Sequence, residues 1–175
     1  MKLKYKIYFS IAILLTVTSW LIALYFWDKL PSIIPVHFGI SGQADSWADK
    51  SFWYAFLLPM LQTFMTGLFI FLYYKPQYTN MPSTMWLTML DKKHRDRAFD
   101  LIRSMMAGTI IIVGLLFTYM SYGMNNSALN TAVGLLPWVM ITFLIILFSW
   151  IGYWYVKIYK ETGLSVKDFN KKEKK

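Results

Sequence analysis

The stretch IYFSIAILLTVTSWLIALYFW, residues 7–27, contains no charged side chain, and its reading decides the fold. A helix rises 1.5 Å per residue, so about 20 such residues cross the roughly 30 Å of hydrocarbon in a bilayer. Two further regions share this character: Ser51 to Tyr74 is uncharged, and so is the whole of Ser104 to Val156. The last is too long for one crossing and fits two, divided at the polar, turn-prone SYGMNNSALNT of residues 121–131. The expected fold is an all-α integral membrane protein with four transmembrane helices, near residues 7–27, 52–74, 104–123 and 134–156. Residues 1–160 then form a single four-helix transmembrane domain, and 161–175 a basic, solvated tail.

The basic start MKLKYK suits a signal peptide as well as an anchor. The apolar run exceeds a signal core of about 7–15 residues, and no small-x-small cleavage pattern follows it, so an uncleaved signal-anchor is expected. Charge then sets the orientation. With both ends and the middle loop in the cytoplasm, only Lys29 and Lys50 of the 18 Lys and Arg residues lie outside. The positive-inside rule therefore predicts cytoplasmic termini. The net charge of +9 collects on one face, where it meets anionic inner-leaflet lipids and leaves no folded soluble part to bind nucleic acid. Fifteen lysines against three arginines suit a bacterial plasma-membrane protein. With no cysteine, disulfides and Cys-based metal sites are excluded.

The middle loop is longer than a connector requires. From Thr84 to Met105, Leu87, Leu90, Ala98, Leu101 and Met105 share one helical face, with His94 on that apolar side. The pattern predicts a cytoplasmic amphipathic helix on the membrane surface, a docking face for lipid or for a protein partner. No Asp, Glu, Lys, Arg or His falls inside a span. That disfavours a proton-coupled pump or an intramembrane hydrolase, which need ionisable groups at depth. Pro59 is expected to kink the second helix, and Gly108 and Gly114 to permit close helix approach without forming GxxxG.

Between the first two spans lies LPSIIPVHFGISGQADSW, residues 30–47. Much of it reads as a connector. Pro31 stops the first helix, Ile34 before Pro35 is pushed toward an extended conformation, and Gly39 and Gly42 supply turns. Asp45, Asp49 or Ser51 is the candidate cap of the second helix, where the dipole favours carboxylate. Trp47 reads as an interface anchor. His37 is what a connector does not explain. If the segment after Asp45 is helical, Asp45 and Asp49 share a face and can join His37 in a metal site. The alternatives are a His37–Asp45 hydrogen bond, which could form a pH-sensitive contact, and direct contact with a partner.

The pattern LPxxIPxHFxxxGxxDxW is carried by Leu30, Pro31, Ile34, Pro35, His37, Phe38, Gly42, Asp45 and Trp47, followed by Lys50. It resembles the signature of a bacterial membrane domain of unknown function that lies just after a first transmembrane helix. The same signature is found at the start of the immunity proteins that protect sporulating bacilli against the sporulation-delaying toxin. The resemblance covers Leu30 to Lys50 and singles out Pro35, His37, Phe38, Gly42, Asp45, Trp47 and Lys50 as candidate binding residues. The resemblance implies a bacterial membrane setting; with the long outer loop and the lack of ionisable groups in the spans, the expectation is a non-enzymatic protein without a cofactor that captures a peptide toxin or contacts a membrane protein. Two departures stand out: Gly39 replaces a common Asn, and four spans stand where the immunity proteins carry more. The competing expectations are a metal-dependent enzyme or accessory factor using His37, Asp45 and Asp49, and a regulatory subunit of a transporter.

Overall fold

The computed structural model describes residues 3–79 and 92–162. In chain order it contains α1 (Leu3–Trp27), β1 (Ile33–Phe38), β2 (Ala44–Asp49), α2 (Phe52–Tyr74), a 3-10 turn at Pro76–Tyr78, α3 (Lys92–Leu129) and α4 (Pro137–Thr162). All four helices are long and apolar enough to cross a membrane. The protein is thus an all-α membrane fold, with one small antiparallel hairpin placed between α1 and α2.

Lipid tails are as apolar as leucine, so helices in a membrane associate through close packing and hydrogen bonds rather than by escaping water. The bundle follows that rule. Ala12, Ser19, Ala23, Ala55, Ala98 and Ala107 are buried at helix contacts, where small side chains let backbones approach. Thr16 of α1 bonds Thr66 of α2 at 3.0 Å, and Thr118 Oγ1 of α3 donates to the Leu15 carbonyl of α1 at 3.2 Å. Each such bond contributes about 0.6 kcal/mol on average. At the chain-start end, Tyr5, Phe9 and Tyr73 pack with Ala107, and the Tyr5 hydroxyl bonds Ser104 Oγ at 2.8 Å.

α3 is the hub, packing against α1, α2 and α4. Its 38 residues are about 57 Å long, well beyond one crossing. Two expectations change as a result. Residues 92–105 are not a separate surface helix but the first turns of α3. There Ala98, Leu101, Ile102 and Met106 are covered by Ile158 and Trp154 of α4 and by Phe69 and Leu72 of α2. Packing partners fill the described part of the apolar face predicted for lipid or a docking protein, while His94, one turn before Ala98 on that face, is exposed. The rest of the predicted amphipathic stretch, 84–91, and residues 163–175 of the tail lie outside the described residues.

The second change is at the other end of α3. The stretch 121–131 was expected to divide two spans, yet the helix continues through it to Leu129. Its polar residues turn inward: Ser121, Asn125 and Ser127 are buried, and Asn125 Nδ2 donates to the Ser121 carbonyl at 2.7 Å. The chain turns only at 130–136, where Asn130 Oδ1 accepts from the Ala132 N–H at 3.2 Å. α4 then packs on α3 through a docked ring. Trp150 Nε1 donates to the Met105 carbonyl at 3.0 Å, and a Cβ on Gly108 would lie 2.1 Å from that indole. The outer side of α4 is exposed along its length.

Candidate functional site: the hairpin between the first two helices

The chain leaves α1 through a turn in which the Leu30 N–H reaches the Phe26 carbonyl at 3.0 Å. Leu30, Ile34 and Pro35 then bury themselves, the first two in one cluster with Ala23, Ala55, Phe56 and Ala128. These buried residues seat the start of β1 against the bundle end. The strands pair Ile33 with Asp49, Ile34 with Ala48, Pro35 with Trp47, His37 with Ser46 and Phe38 with Ala44. The register slips on either side of His37, making Val36 the extra residue on β1 and Asp45 the extra residue on β2. Bulges of this kind re-aim side chains. Here they bring the Asp45 carboxylate onto the His37 ring.

The tip is fixed from both sides. Within it, the Gly39 N–H bonds the Gln43 carbonyl at 2.9 Å and the Gly42 N–H the Gly39 carbonyl at 2.8 Å. Gly42 has φ +78°, a left-handed conformation that glycine adopts without penalty. Its carbonyl also accepts from the Leu135 N–H at 2.8 Å, so the hairpin tip is tied to the α3–α4 loop. A Cβ on Gly42 would sit 1.8 Å from the Leu135 oxygen. No other residue type fits both demands.

His37 Nδ1 and Asp45 Oδ1 are 2.5 Å apart, with side chains 69% and 51% exposed. A polar contact this accessible adds at most about 1 kcal/mol to folding. Its effect is orientation: with Nδ1 engaged by the carboxylate, Nε2 is the remaining hydrogen-bonding atom of the ring. Phe38 is half-buried beside it, and Trp47 is 40% exposed on the facing strand.

The other predicted residues have different employment. Lys50 Nζ donates to the Trp27 carbonyl at 2.7 Å and the Leu30 carbonyl at 3.3 Å, and lies 4.5 Å from the centre of the Trp27 ring. A cation thus caps the carbonyls at the C-terminus of α1, a structural task that sequence position alone did not reveal. Asp45 and Asp49 lie on a strand, not a helix, and the cap of α2 is Ser51, whose hydroxyl accepts from the Tyr54 N–H at 3.4 Å. Asp49 is exposed at the base of the hairpin opposite Ile33, away from the bulge that joins His37 to Asp45. Among the described residues, no group of three or more His, Asp or Glu side chains could hold a metal ion. The proposed metal triad is therefore reduced to a pair.

The sequence pattern does not predict the hairpin. IIPVHF, with its β-branched residues, carried a strand signal, whereas ADSWAD did not. No curated protein and no solved structure matches the chain. A family model described as a domain of unknown function (DUF1648) does match, over residues 14–63. That segment runs from the middle of α1 through the whole hairpin into α2, so the chain is similar to this family in the very part that builds the His37–Asp45 pair.

Proposed function

We propose that this is a multi-pass bacterial plasma-membrane protein whose hairpin is an exterior recognition surface, binding a peptide toxin or a membrane-protein partner in the manner of the immunity proteins it resembles. The observation that carries this reading is the His37–Asp45 pair. It is held in one orientation, it is exposed, and it contributes little to the fold that surrounds it. The orientation rests on charge. Lys4, Lys6, Lys75, Arg97, Arg103 and Lys157 gather at the end of the bundle opposite the hairpin, where anionic inner-leaflet lipid would stabilise them by about 1 kcal/mol each. No cofactor enters this account, and nucleic acid is not the partner.

The test is survival of a bacterial strain sensitive to the sporulation-delaying toxin. Expression of the wild-type chain is expected to protect, and His37→Ala at equal membrane abundance is expected not to. Unchanged killing with the wild-type protein present in the membrane would contradict the immunity reading.

A further inference from the structure

The most buried polar groups of the bundle fall in one slab. Ser19, Gln62, Ser121, Asn125 and Ser127 are each no more than 1% exposed. Ser19 Oγ, Gln62 Oε1, Ser121 Oγ and Asn125 Oδ1 have no hydrogen-bond partner among the described residues. Contacts on either side fix their level. On one side, Gln62 Nε2 of α2 donates to the Gly114 carbonyl at 3.2 Å and to Thr118 Oγ1 at 3.3 Å, while Thr118 reaches Leu15 of α1. On the other, Ala23, Ala55 and Ala128 meet in a single cluster. Ser19 lies between Leu15 and Ala23 on α1, and Ser121 and Asn125 lie between Thr118 and Ala128 on α3. On α2 the same interval holds Pro59, also fully buried. Proline has no N–H, so the Ala55 carbonyl loses its helical donor as well.

Three helices therefore bring more oxygen acceptors to one interval than donors to match them. The two amides cannot repair this by rotating: their NH2 groups already serve the Gly114 and Ser121 carbonyls, and a flip would set oxygen against oxygen. The serine hydroxyls can each supply one proton, fewer than the acceptors present. In hydrocarbon an unsatisfied polar group costs several kcal/mol, so a donor is called for. A monovalent cation would find oxygens but no counter-charge, because no ionisable acid or base lies in the surrounding spans. An uncompensated buried charge costs far more than such contacts return. Water brings two O–H donors without charge and is held by two to four polar partners.

We propose that the interior of α1, α2 and α3 holds a buried water site formed by Ser19, Gln62, Ser121, Asn125 and the Ala55 carbonyl, one layer beneath the hairpin cluster. The site is independent of the recognition role assigned to His37. Its test is water-edited solid-state NMR on the wild-type protein in liposomes, following magnetisation transfer from water to the side-chain amides of Gln62 and Asn125. Transfer several-fold faster than to the buried methyls of Ala12 and Ala107 is expected. Amide build-up as slow as those methyls would overturn the proposal. Replacing sodium chloride with choline chloride is expected to leave both amide signals in place, whereas a shift in either would put a cation there instead. Asn125→Leu supplies the energetic readout: with water present its melting midpoint falls and transfer to Gln62 slows. A midpoint that rises, as expected when an unsatisfied group is removed from a dry core, counts against the water site.

Discussion

The two sides of the hairpin are built from the same short motif and do opposite things. Its inner side, with Leu30, Ile34, Pro35, Gly42 and Lys50, is consumed by the fold: three buried side chains, a backbone contact with Leu135 and a capped helix end. Its outer side, with His37 and Asp45, is held in place and left accessible. A motif that spans both sides therefore does not identify a site by itself. The contacts of each residue separate the part that makes the surface from the part that is the surface.

This contrast orders the expected effects of substitution. Ile34→Ala should be the most costly, because it empties a fully buried position in the cluster beneath the hairpin; truncations of this kind cost about 2–5 kcal/mol, read as a lower melting midpoint in detergent. Gly42→Val comes next, combining left-handed strain of about 1–3 kcal/mol with a clash against the Leu135 carbonyl. Its signature is specific: faster amide exchange at Leu135, whose N–H loses the Gly42 acceptor. Were exchange at Leu135 unchanged, the tie between hairpin and α3–α4 loop would be wrong.

Lys50→Met should cost less, about 1–2 kcal/mol, since it removes a cation from the C-terminus of α1 but keeps an apolar stem against Trp27. Lys50→Arg is expected to recover part of the loss, and an Lys50→Met protein as stable as the wild type would remove the capping role. Smallest of all should be His37→Ala, at or below about 1 kcal/mol, because its one polar contact is solvent-exposed. The contrast predicts that the least destabilising of these changes is the most damaging to recognition.

The membrane helices were legible because hydropathy needs only composition and length. The second span, Phe52–Tyr74, agrees with its sequence expectation to the residue. The polar run 121–129 was not legible as helix, since its Ser and Asn side chains are favoured in turns until buried neighbours enclose them. The amphipathic pattern of 92–105 was real, but a sequence does not say whether an apolar face meets lipid or another helix. At the site, a His37–Asp45 bond was among the alternatives, while the bulges that create it were not. Their register depends on where Gly42 docks, a tertiary contact with residues more than ninety positions away.

The most direct test of the account measures stability and protection together in His37→Ala, with Ile34→Ala alongside. The account predicts a melting midpoint for His37→Ala lowered by no more than a loss of about 1 kcal/mol would give, with protection of toxin-challenged cells abolished. Retained protection, or protection lost only in proportion to stability across the two variants, would contradict a recognition surface at His37.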